Sequence, residues 1–149
     1  MRIEIDQSGK IEDTNKDTVV AFSNNIFGSV LIQARDKREI QKIFRRIGKS
    51  RIFIYKLFAI LIFLAIKKHI KEIDQITIDI EYPKWEHLIK DYLLKEIRRV
   101  KPDFDAEDIS FKAIGKKSKA HSLAYNVFQG KTKPGLEVKF RNILKYIVK

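Results

Sequence analysis

Four carboxylates stand in pairs two residues apart, Glu4 with Asp6 in RIEID and Asp79 with Glu81 in TIDIEY. A strand turns successive side chains to opposite faces. Thr77, Asp79 and Glu81 therefore share one face, and Ile76, Ile78, Ile80 and Tyr82 share the other. Each pair falls at the carboxyl end of its strand, where ligands of open α/β sheets gather, and the four acids meet if the two strands are neighbours. Clustered carboxylates raise one another's pKa unless a cation neutralises them. Oxygen donors in a chain without cysteine select a hard ion, Mg²⁺ or Mn²⁺, which keeps waters and binds substrate phosphates. Taken singly, Asp6 before QSG reads as turn chemistry, and Glu81 reads equally as a ligand or as the charge opening a helix at Pro83. Asp79, with Ile on both sides, is harder to leave without a partner.

The 31 Lys and Arg outnumber the 19 Asp and Glu, giving a formal charge of +12. That balance points to a polyanion such as nucleic acid, or to an anionic membrane surface. An acidic metal site in a basic chain suggests phosphodiester hydrolysis. With 149 residues, 44% of them hydrophobic, the simplest organisation is one domain over 1–149 with a single core. The lack of cysteine excludes disulfides, thiolate metal sites and a thiol nucleophile, and makes a cytoplasmic location the default expectation. The apolar run 52–66 is shorter than the roughly 20 residues a span needs and contains Lys56, so it reads as a buried helix and no membrane partner is expected.

Alternation predicts strands over 2–6, 17–24 and 29–35, with turns at QSGK and NIFG. From Asp36 the period becomes helical through Ile40, Ile43, Phe44 and Ile47 to Gly48. Ser50 is the expected N-cap of a helix over 51–71. A strand over 75–82, an amphipathic helix from Pro83 to before Pro102, a strand over 108–114, a helix over 118–129 and a last helix over 136–148 complete the chain. The order βββαβαβα plus an extra C-terminal helix is an α/β fold with a five-stranded mixed sheet and helices against it.

DQSG ending the first strand, DIEY in the fourth, and SKAHSLAYNVFQGK in the helix after the fifth together resemble the ribonuclease H-like nuclease family over nearly the whole chain. In that family an Asp on the first strand and an Asp on the fourth hold metal ions, and a third acidic or His group comes from the late helix. The resemblance assigns these roles to Asp6, Asp79 and His121, with Asp6 the expected bridging ligand; Glu81, on the same strand face as Asp79, is the expected auxiliary ligand. It implies two-metal catalysis with ions about 3.5 to 4 Å apart, one activating water and the other stabilising the leaving 3′ oxygen. His121 would ligate the second ion through a neutral ring nitrogen or position the water. Many members also supply a Glu from the helix before the fourth strand, where Lys56 stands here. Glu81 or Glu4 would then replace it, with Glu39 a weaker substitute, and a lysine among the acids would instead favour a nucleic-acid-binding module without catalysis.

The expected substrate is single-stranded DNA, degraded 3′ to 5′, with RNA/DNA-hybrid cleavage as the alternative the fold family also includes. Lys116, Lys117 and Lys119 before the His121 helix, and Lys131 and Lys133 after it, are the expected phosphate contacts. Lys49 and Arg51, in RIGKSR, lack the first Gly of a phosphate loop but precede a helix N-terminus able to meet a phosphate. Trp85, Tyr125 and Phe128 are candidate stacking residues, though aromatics at helical spacing are more often core.

Overall fold

The computed structural model describes residues 1–147. Its strands are β1 (Arg2–Ser8), β2 (Thr18–Ser23), β3 (Phe27–Ile32), β4 (Gln75–Asp79), β5 (Ile109–Lys112) and β6 (Leu136–Val138). Its helices are α1 (Ala34–Arg46), α2 (Phe53–Ile66), α3 (Glu86–Val100), α4 (Lys119–Phe128) and α5 (Phe140–Ile147). All six strands join one mixed sheet in the order β5-β4-β1-β2-β3-β6. β1, β2 and β3 form an antiparallel meander, whereas β4 lies parallel to β1, β5 parallel to β4 and β6 parallel to β3.

The two faces of the sheet are built differently. Ile3, Ile5, Val20, Phe22, Val30, Ile32, Ile76 and Ile78 point to one side and join a core with α1, α2, α3 and α5. α2 is apolar nearly all round, which suits a helix sandwiched between the sheet and α3, and Leu57, Leu61, Ile62 and Ile66 in it are sealed from solvent. On the other side α4 is, among the described residues, the helix that lies over β1, β2 and β3. The contact is a small cluster of Val19, Ala21, Ala124 and Val127, whose short side chains let the helix come close. The residues of β4 on that side, Thr77 and Asp79, remain half-exposed.

Several expected boundaries shift. The sheet has six strands rather than five, because 136–138 is a strand and the last helix starts only at Phe140; residue 148 of the expected helix lies outside the described residues. Leu136 and Val138 pair with Val30 and Ile32 on the free edge of β3. Gly135 permits the approach, since a Cβ there would stand 3.0 Å from the Ser29 carbonyl oxygen, and its N–H donates to Ser29 Oγ at 3.0 Å. Asp36 Oδ1 then accepts from the Phe140 N–H at 3.0 Å and caps α5. Ser50 does not cap α2: it opens a 3-10 turn, Ser50–Ile52, and the cap residue is Ile52. α2 likewise gives way to a 3-10 stretch, Lys67–Glu72. β4 stops at Asp79 rather than 82, and α3 starts at Glu86 rather than Pro83, because a turn with Lys84 at φ 76° intervenes.

Candidate metal centre

β1 and β4 are neighbours, and their parallel register, Glu4 with Thr77 and Ile5 with Ile78, brings Asp6 and Asp79 side by side at the carboxyl end of the pair. Alternation turns both toward α4. Asp6 is only 3% exposed. Its Oδ1 accepts from the Gln7 N–H at 2.8 Å, and its Oδ2 lies 2.7 Å from His121 Nδ1, delivered by the first turn of α4. Asp79 Oδ1 accepts from the Ile114 N–H at 3.0 Å. Glu81 lies just past the end of β4, and a ligand oxygen of each of Asp6, Asp79 and Glu81 comes within 4.8 Å of the others.

The neighbouring Tyr82 fixes where Glu81 can go. Its ring packs edge-on against Tyr55 and Phe58 in the main core. Its hydroxyl donates to Glu12 Oε1 at 3.2 Å and accepts from Gln7 Nε2 at 3.0 Å. With Tyr82 anchored in the α2 layer, the preceding residue is turned toward the acids.

Burial raises the Asp6 pKa, with the Asp79 charge adding to it, while the hydrogen bonds from Gln7 and His121 pull the other way. Glu81 is pushed up to about 9, first by burial and then by the carboxylates of Asp79 and Asp6. Burial and the two neighbouring carboxylates thus favour the protonated form of Glu81. Three hard oxygen donors whose mutual repulsion is relieved by a proton suit Mg²⁺ or Mn²⁺, which would take that proton's place.

The expected residues separate into groups. Asp6, Asp79, Glu81 and His121 come together, with His121 attached to Asp6 rather than within the carboxylate trio. Glu4 does not join them; it accepts from the hydroxyl of Ser118, the N-cap of α4, at 2.9 Å. Glu39 is tied to Lys42 on the exposed side of α1. Lys56 lies away from the acids, on the α2 side of the sheet, with Nζ 5.4 Å from the Tyr92 ring centroid and 3.5 Å from the Ile147 carbonyl oxygen. Lys116, Lys117 and Lys119 are exposed at the amino end of α4, and Lys131 and Lys133 are exposed beyond its carboxyl end. Lys49 and Arg51 are exposed too, but they precede α2. Trp85 is stacked on Tyr55 at 4.5 Å, and Phe128 packs over Gly9, where a Cβ would stand 2.5 Å from its ring.

Two features escape the sequence reading. Lys112 pairs in register with Asp79 across β4 and β5, on the same face of the sheet, a placement that only strand pairing decides. Lys37 is fully buried, and its spacing to Ile40 and Phe44 on one helical stripe was the available signal. No protein-family model, curated protein or solved structure matches this chain.

Proposed function

We propose that this protein is a divalent-metal-dependent nuclease of ribonuclease H-like fold that hydrolyses phosphodiester bonds, with single-stranded DNA cut 3′ to 5′ as the substrate to test first. The observation that carries the proposal is the convergence of Asp6, Asp79 and Glu81 within 4.8 Å, on adjacent parallel strands and just beyond one of them. The sheet order β5-β4-β1-β2-β3, with a group from the late helix α4 on the first-strand Asp, supports the family reading, β6 being an addition. The chain's charge of +12 supports a polyanionic substrate.

Asp6, Asp79 and Glu81 would hold the ion. A Mg²⁺ or Mn²⁺ bound there supplies an activated water and charge stabilisation for a leaving 3′ oxygen. The chain's own groups do the rest. The Gln7 and Ile114 amides fix one oxygen each of Asp6 and Asp79, so both carboxylates are held before substrate arrives. His121 orients Asp6 through Nδ1, leaving Nε2 to accept or hold a proton near the scissile group. Lys112 adds positive charge on the face where a phosphate would sit.

Purified protein incubated with 5′-labelled single-stranded DNA, duplex DNA, RNA and RNA/DNA hybrid, each with Mg²⁺, Mn²⁺ or EDTA, tests this directly. Cleavage that requires metal and disappears in Asp6→Asn and Asp79→Asn is the expected outcome. A ladder of shortened products identifies an exonuclease, and internal cuts an endonuclease. Salt-sensitive binding with no cleavage of any substrate would reject the enzyme.

A further inference from the structure

We infer that a trough around the amino-terminal end of α4 is the path of a single-stranded nucleic acid, with Phe27 as a platform on which a base stacks; the identity of the occupant rests on the nuclease reading above. Two hollows make up the trough, of about 500 and 420 Å³, and they share Ser23, Asn24, Asn25 and Lys119. The first is floored by Glu4 and Thr77. These lie two residues before Asp6 and Asp79 on the same face, about 6.6 Å along the strands. A chain whose reacting phosphate sat at the acids would therefore enter this hollow next. The second hollow continues past Lys117 and Leu123 to Phe27.

Strand pairing fixes the distance. Glu4 pairs with Ser23 and Ser23 with Phe27, so the three stand abreast on β1, β2 and β3. At about 4.8 Å per strand, Phe27 is about 10 Å from Glu4 across the sheet.

The lining matches single-stranded nucleic acid. Arg2, Lys117 and Lys119 are exposed, and among the described residues none of them has a carboxylate within ion-pair distance. The one carboxylate in the trough, Glu4, is held by the Ser118 hydroxyl. Asn24 donates to the Arg2 carbonyl and ties the β2–β3 turn to the start of β1, while Asn25 is exposed and lines both hollows. Phe27 is 73% exposed, the highest value among the exposed large hydrophobic side chains. Its neighbours in the trough are amides, hydroxyls and lysines together with Leu123, and on its other side it borders a separate hollow lined by Phe22, Leu64 and Leu136. A base can stack there only if it is not already within a duplex, which selects a single strand.

The test separates this path from catalysis. Binding of labelled oligothymidylate, oligouridylate and an abasic strand, each of about 15 nucleotides, is measured by fluorescence anisotropy in EDTA at several salt concentrations. Phe27→Ala should weaken binding of the base-containing strands about tenfold, Phe27→Trp should keep it, and the abasic strand should bind equally to all three proteins. Lys117→Ala with Lys119→Ala should reduce the salt slope by about 1.4, at about 0.7 per phosphate contact. The tighter of the DNA and RNA arms identifies the natural strand. The inference fails if no strand binds, if Phe27→Ala binds as the parent does, or if it loses as much on the abasic strand. Self-association that depends on Phe27, with oligonucleotide affinity unchanged, would overturn it in favour of a second copy of this chain. Loss of binding by Phe27→Ala in a protein that never cleaves would leave the path standing and the nuclease reading rejected; cleavage lost in Asp6→Asn with Phe27 irrelevant to binding would do the reverse.

Discussion

Lys37 and Asp6 are both charged side chains sealed from solvent, and their surroundings differ in kind. The Lys37 ammonium donates to the carbonyls of Lys10 and Asp13 at 3.1 and 2.7 Å and to the Thr18 hydroxyl at 3.0 Å. Its three N–H groups thus meet three acceptors. Burial pulls its pKa down to about 8, against the nearby charges of Asp13, Asp17 and Glu12, and it stays charged at neutral pH. The Asp6 carboxylate instead faces Asp79 and Glu81, two more acids, and burial and repulsion raise the pKa of both Asp6 and Glu81. A buried charge that serves the fold is fully partnered. Among the described residues no Lys or Arg lies within ion-pair distance of the three acids, whose one side-chain partner from outside the trio is His121, and that deficit separates a binding centre from a structural clamp. The two are also connected, since Lys37 closes the β1–β2 hairpin that brings Glu12 and Ile11 to the Tyr82 hydroxyl beside Glu81.

Substitutions should break this contrast in opposite directions. Asp6→Asn should reduce metal-dependent cleavage by about a thousandfold, the several kcal/mol expected of the bound ion. Melting of the metal-free variant should be no lower than the parent's, because a crowded buried charge has been removed; a large loss of stability would make Asp6 structural instead. Lys37→Met should do the reverse, costing about 3 kcal/mol by stranding three buried acceptors. Urea unfolding measures it, and an unchanged midpoint would refute the clamp.

Metal and pH sharpen the comparison further. Between about 4.5 and about 9 the unfolded chain has released the Glu81 proton and the folded chain has kept it. The metal-free protein should therefore lose stability as pH rises through that window. Mg²⁺ or Mn²⁺ at a hundred times its dissociation constant should restore about 2.7 kcal/mol near pH 8. Differential scanning fluorimetry with and without metal, on the parent and Asp79→Asn, reads this; equal gains in both proteins would place the ion elsewhere. The smallest effect is expected for Lys56→Ala, which should leave cleavage within about twofold, because that amine points to Tyr92 on the far side of the sheet. A large rate change would mean that Lys56 acts at the acids after all.

Much of this arrangement was legible in the residues. Alternation in RIEID and QITID placed Asp6 and Asp79 on strand faces opposite their isoleucines, and the helical period put His121 in the helix after β5. What failed was local chemistry overruled by contacts. LEV read as the start of a helix until the free edge of β3 paired it as β6. Counting along the chain sets Lys56 among the acids, but α2 lies on the opposite side of the sheet. Nothing in NIFGS signals that the Phe27 ring stays in water.

The sequence by itself determined which side chains alternate, which helix is apolar all round and that the chain carries a large positive charge, because these depend on residue type and short-range period. Only the tertiary structure decided that β1 and β4 are parallel neighbours in a register that sets Asp6 beside Asp79, that Tyr82 pins Glu81 next to them, and that α4 covers three strands and leaves Asp79 and Glu81 half-exposed. Those outcomes come from pairing and packing between segments far apart in the chain, where the selecting free energy is the burial of Ile3, Ile5, Ile76 and Ile78 under α2 and its neighbouring helices rather than any preference of the acids themselves.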